Sequence, residues 1–214
     1  MECSFLVQKI IKHRPNNKVL VFYTPRNIFM SFAALLFIFA GCKNSSSTTD
    51  DYSKYLNQHI ITDMFPSVIH REQVIGWTNF REKYRNITVV YLQDNCSPCY
   101  PKFIEWHRRM EQIAKADDYT VLFIINTRNY EDFLNNVRLY GECDNRYYYV
   151  MDPGKMFLGA NGQIPIWVIM DQSILINEND QIKMIGAPFA NDDRTKVFHI
   201  VTGVDTQQSD KSSQ

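Results

Sequence analysis

Cys96 and Cys99 are separated only by Ser97 and Pro98, after an apolar, β-type run at residues 88–92 and ahead of an amphipathic stretch. That placement predicts a redox-active dithiol at the start of a helix. A helix start leaves backbone N–H groups without intrahelical partners and carries partial positive charge, so a cysteine there is stabilised as a thiolate. In such pairs the first thiol drops from about 8.5 to roughly 3.5–7.5, and the thiolate is the species that attacks a disulfide. Cys96 is therefore read as the nucleophile and Cys99, about one turn in, as the resolving thiol. Pro98 suits a first turn, which tolerates a residue without an N–H.

The elements that must hold the pair are legible around it. Phe103, Trp106, Met110, Ile113 and Ala114 recur at helical spacing between charged residues, which predicts a helix to about residue 116 with one face in the core. Residues 88–92 read as a buried strand, and residues 120–126 as a strand apolar on both faces, as in the middle of a covered sheet. A helix is expected at 131–140 with Phe133, Leu134, Val137 and Tyr140 on one face. A strand follows at 147–151, then a short helix opened by Asp152 and Pro153 and running to Leu158. Residues 166–171 and 181–185 read as a hairpin across an acidic, Asn-rich turn, and Asp192 or Asp193 as the cap of a last helix at 194–201. Before this, residues 52–85 read as a short helix with Tyr55, Leu56 and His59, an extended segment at 64–69 and a helix at 73–84.

Strands alternating with helices, then a hairpin and a helix, make an α/β domain with a sheet covered on both faces. The order strand, C-x-x-C helix, strand, helix, hairpin, helix over residues 86–201 resembles the thioredoxin fold. The stretch Gly-Gln-Ile164-Pro165 resembles the point where that superfamily carries a cis-proline facing the dithiol. The resemblance implies an α/β thioredoxin-like domain at 52–204, a central mixed sheet, and substrate contact at Ile164 and Pro165. The additional strand and helix at 147–158 are similar to the insertion of membrane-tethered, TlpA-like and cytochrome-maturation thiol oxidoreductases. Several residues depart from the thioredoxin pattern. Ser97-Pro98 stands for Gly-Pro, Asn95 for a tryptophan, Ile164 for a threonine, and apolar Val90 for the buried acid that helps deprotonate the second thiol. Asp94 or water would then receive the proton of Cys99.

At the start of the chain, the apolar run at 28–40 follows Lys9, Lys12, Arg14, Lys18 and Arg26. It is shorter than the roughly 20 residues a spanning helix needs and matches a signal-peptide core. It ends Phe39-Ala40-Gly41-Cys42, which resembles the lipobox of bacterial lipoproteins. That resemblance implies a signal peptide at 1–41, acyl chains on Cys42, a Ser/Thr-rich linker within 42–51, and a location on the periplasm-facing side of a membrane. Residues 205–214 form a polar tail.

The remaining composition narrows the function. The formal charge is zero overall, but residues 42–214 hold 18 basic and 22 acidic residues, a net of −4, with no footprint for nucleic acid. Five cysteines in 214 residues do not make a disulfide framework. Zinc needs four ligands, usually in two close pairs, and isolated Cys143 supplies no second pair; it reads as an inert small residue. Phosphate-binding glycine loops, a G-x-S-x-G element and the Pro-Thr setting of a peroxiredoxin cysteine are missing. The expectation is a thiol-disulfide oxidoreductase acting on protein disulfides, with no dissociable cofactor and a second redox protein to recharge it. The rival is a thioredoxin-fold binding module stapled by the same two cysteines.

Overall fold

The computed structural model describes residues 52–113, 117–143 and 145–203. The segments expected to be a signal peptide (1–41), a lipidated cysteine with its linker (42–51) and a polar tail (205–214) lie outside the described residues. In chain order the elements are β1 (Ser67–His70), β2 (Gln73–Gly76), α1 (Trp77–Lys83), β3 (Asn86–Gln93), α2 (Cys99–Ile113), β4 (Tyr119–Asn126) and α3 (Tyr130–Arg138). Then come β5 (Tyr148–Met151), α4 (Met156–Ala160), α5 (Ile166–Asp171), β6 (Ser173–Ile176), β7 (Ile182–Ile185) and α6 (Asp192–Thr202), with 3-10 turns at Tyr52–Tyr55 and Pro188–Ala190. Among the described residues, no helix is long and apolar enough to cross a membrane.

The seven strands make one sheet in the order β2-β1-β5-β4-β3-β6-β7. Its centre is β3 against β4, parallel and in register from Asn86 opposite Tyr119 to Gln93 opposite Asn126. β5 continues the parallel set on β4, while β6 runs antiparallel to β3, with Val90 opposite Ser173. The strand pairs and crossings of β3-α2-β4-α3 followed by β6-β7-α6 are those of a thioredoxin-like fold. β5 and α4 form the additional strand and helix, and β1-β2 extend the far edge.

Alternation along β3 sends side chains to two separate cores. Ile87, Val89 and Tyr91 join Phe80, Leu122, Ile124, Phe157 and Val168 on one face. Val90 and Leu92 join Phe103, Trp106, Met110, Phe123, Phe133 and Phe198 under α2 on the other. This double burial is why both central strands read as unbroken apolar runs. Val90 lies fully buried beneath the dithiol helix, so the position of the missing acid is apolar in the structure also.

Several elements differ from their sequence expectations. The stretch at 73–84 is a strand and then a helix, because Arg71 and Glu72 both adopt positive φ (47° and 69°) and fold β2 back on β1. The N-terminal turn is a single 3-10 turn, and His59 instead bridges to Gln181. α3 ends at Arg138, and Tyr140 beyond it is exposed. α6 takes Asn191 as its cap, the side chain accepting from the Arg194 N–H, one residue before the expected aspartates. Residues 166–171 are helical, and the hairpin pairs β6 with β7 across Asn177–Asp180.

Buried tyrosines make the fold sensitive to alkali. The Tyr148 hydroxyl meets that of Tyr84 at 2.8 Å, and burial, with this bond second, pushes its pKa up to about 12. Burial also raises Tyr91, Tyr119 and Tyr130. A folded pKa above the unfolded value of about 10 means that this stability is fully present below about pH 10 and is lost as pH rises through about 12. Denaturant unfolding between pH 9 and 12 should therefore show a shallower loss in Tyr148→Phe than in the natural chain; identical slopes would refute the assignment.

Candidate active site

Gln93, the last residue of β3, leads into a short loop whose conformation is set by side chains. Asn95 adopts φ 60°, a left-handed conformation that asparagine tolerates better than most residues. Its N–H donates to the Tyr100 hydroxyl at 2.8 Å and to Asp94 Oδ1 at 3.0 Å. The Tyr100 hydroxyl in turn donates to Asp94 Oδ1, and the Thr127 hydroxyl to Oδ2 at 3.3 Å. Asp94 thus ties the end of β4 to the loop that presents Cys96. Its carboxylate oxygens accept from three groups, none of them a cysteine.

Cys96 and Cys99 are joined as a disulfide with Cα atoms 5.3 Å apart. The Cys99 N–H donates to the Cys96 carbonyl at 2.9 Å, and the Lys102 N–H to the Pro98 carbonyl at 3.3 Å. The helix therefore opens at Cys99, and Pro98 precedes it by one residue instead of lying in its first turn. Ser97 and Pro98 are exposed, and both cysteines are half-buried. Cys99 packs on the core beneath α2, and its sulfur accepts the Gln93 N–H at 3.4 Å.

The expectation of a cis-proline is overturned: every peptide bond among the described residues is trans. Pro165 has φ −56° and accepts the Val168 N–H at its carbonyl, so it opens α5. Its fixed φ suits that position. Ile164 is only 1% exposed, and its N–H donates to the Asn161 carbonyl at 2.9 Å, so that N–H is already engaged within the chain. The far end of α5 meets two residues that flank the dithiol in sequence, Gln93 and Lys102. Gln93 Nε2 donates to the Met170 sulfur at 3.7 Å, and Lys102 Nζ donates to the carbonyls of Met170 and Asp171 at 3.2 and 3.3 Å. Burial lowers the pKa of Lys102, with Asp171 opposing the shift. Sequence reading missed Gln93, Lys102 and Met170. Helical spacing marks Lys102 as polar, but its partners lie 68 and 69 residues away.

On the other side of the loop, a polar cleft of about 290 Å³ is lined by Asp94, Asn95, Thr127, Asn129, Asp132 and Pro153, among others. α5 leaves Ile166 and Trp167 58% and 42% exposed, with Trp167 6.0 Å from the Tyr52 ring.

No protein-family model matches the chain, and no curated protein matches it. Among solved structures it is similar to the thioredoxin domain of a thiol-disulfide oxidoreductase from Bacteroides vulgatus, with 15% identity, 67% of this chain and 99% of that one covered, and a TM-score of 0.45. It is also similar to thioredoxin from Wuchereria bancrofti, with 14% identity, coverage of 66% and 88%, and a TM-score of 0.44. The reduced 2-Cys peroxiredoxin of Plasmodium vivax gives 12% identity, coverage of 70% and 97%, and a TM-score of 0.49.

Proposed function

We propose that the chain is a thiol-disulfide oxidoreductase acting on protein disulfides, held by acyl chains on Cys42 at a bacterial membrane and facing the periplasm. The observation that supports this reading is the Cys96–Cys99 disulfide at the start of α2, with exposed Ser97 and Pro98 between its halves. A pair so placed is open to a partner's thiolate on one side and backed by the helix start on the other.

In the reductive direction the Cys96 thiolate attacks a substrate disulfide. A mixed disulfide forms and one substrate sulfur leaves as a thiol. Cys99, its proton lost to Asp94 or to water, attacks Cys96 and releases the second substrate thiol. Two electrons pass to the substrate and the protein is left oxidised, so a second dithiol protein must restore it. The oxidative direction is the reverse. Pro165, half-buried, with exposed Ile166 and Trp167 offers the substrate an apolar surface, next in sequence to buried Ile164.

The test is the equilibrium reduction potential of the Cys96–Cys99 pair. A value near about −270 mV makes the protein a reductant, and one near about −120 mV an oxidant. A pair still oxidised well below roughly −300 mV would be a structural staple, and the function would then be peptide binding.

A further inference from the structure

We propose that Lys102 is a positioning residue of the dithiol: its ammonium ties the last carbonyls of α5 to α2, holds Met170 against the Gln93 side chain, and sets a positive charge on the turn of α2 that follows Cys99. This rests on the redox reading above.

Four residues from three elements close a ring. Cys99 accepts from the Gln93 backbone, and the Gln93 side chain donates to the Met170 sulfur. The Met170 carbonyl accepts from Lys102, and Lys102 returns to Cys99 along α2. Residues three apart on a helix have Cβ atoms roughly 5–6 Å apart, so Cys99 and Lys102 are neighbours on one face. The two carbonyls that Lys102 takes, those of Met170 and Asp171, belong to the last turn of α5, where a cation is favoured by the helix dipole. With Ile164–Pro165 trans and at the opposite end of α5, this lysine clasp is the link between α5 and the helix that carries Cys99. Asp171 supplies the nearby negative charge on α5, but the ammonium donates to backbone oxygens, so its charge is not cancelled by a direct ion pair.

The charge acts on the reduced state. Two glutathione thiols reduce the Cys96–Cys99 bond, giving up two electrons and two protons and becoming one glutathione disulfide. The protein sulfurs become thiols, and the share of them that ionises is stabilised by the adjacent ammonium. Removing the ammonium should favour the disulfide.

The experiment equilibrates the full-length chain, in detergent at pH 7, with glutathione buffers and reads the mass of the alkylated peptide carrying Cys96 and Cys99. Relative to the natural chain, Lys102→Met should lower the reduced-to-oxidised equilibrium constant about fivefold, and Lys102→Gln, which keeps a donor without the charge, at least threefold. Lys102→Arg should stay within twofold. An unchanged constant in both neutral variants, or a fall in Lys102→Arg as large as in Lys102→Met, overturns the proposal. If Lys102→Met fails to fold, Lys102→Gln and Lys102→Arg decide it alone. A natural chain that does not exchange with glutathione at all would overturn the redox reading itself, a result distinct from an exchanging pair that is indifferent to residue 102.

Discussion

Cys96→Ser should abolish disulfide exchange, by on the order of a thousandfold or more, because a serine hydroxyl in this setting supplies no thiolate to attack a disulfide. Cys99→Ser should behave differently. Its Cys96 still attacks, but the sulfur that resolves the mixed disulfide is gone, so a substrate stays covalently attached to Cys96. Both cysteines are half-buried, and the geometry that separates their roles is the surroundings of Cys99, whose sulfur packs on the core under α2 and accepts the Gln93 N–H. Either substitution opens the same short loop, which costs about 2 kcal/mol of stability in the chain-entropy account of cross-links. Insulin reduction and trapping followed by non-reducing electrophoresis check the prediction. Equal activity in the natural chain and Cys96→Ser, with only the stability lost, would leave the pair as a staple.

The second large effect is expected at Asp152, which is 0% exposed yet carries a carboxylate. Its oxygens accept the N–H groups of Met156 at 2.8 Å and Phe157 at 3.0 Å, the first residues of α4, while its own N–H donates to the Ile125 carbonyl and its carbonyl accepts from Asn126 Nδ2. One residue therefore caps a helix and ties it to the end of β4. Asp152→Ala leaves two N–H groups without these acceptors, one of them in a fully buried residue, at about 1–3 kcal/mol each. The expected loss is roughly 3 kcal/mol or more, or about 6–12 °C in Tm for a chain of this size. Asp152→Asn keeps one acceptor oxygen and should lose about half as much. Thermal unfolding followed by circular dichroism measures both. A loss under about 1 kcal/mol in Asp152→Ala would mean that α4 finds its cap elsewhere.

Residue 152 also shows how far local sequence reaches. An aspartate before a proline predicts a helix cap, and it is one, but the helix begins four residues later, because Lys155 takes a left-handed conformation (φ 55°) and its N–H closes a turn on the Asp152 carbonyl. The segment at 166–171 carries the clearest disagreement. Ile-Trp-Val-Ile-Met has the branched and aromatic composition of a strand, yet it forms α5, with Val168 and Ile169 buried and Ile166 and Trp167 turned outward. β3 has one edge left for an antiparallel neighbour. Ser173–Ile176 takes it with all four residues buried and an Asn-rich turn behind it. Two apolar runs competed for one place in the sheet, and no local property ranks them.

Wherever the cause is local, the sequence determined the outcome. The dithiol at a helix start, the buried faces of α2 and α3, and the two central strands follow from spacing and burial on both sides of a sheet. Tertiary structure alone decided which segment meets Gln93 and Lys102 on either side of the dithiol. The trans Ile164–Pro165 bond, the helical turn of α5 and the reach of Lys102 to carbonyls 68 and 69 residues away follow from how β6 docks on β3. Contacts at that separation depend on which of several similar apolar segments wins a shared surface. That competition is settled by the packing of the whole domain, so no window of the chain contains it.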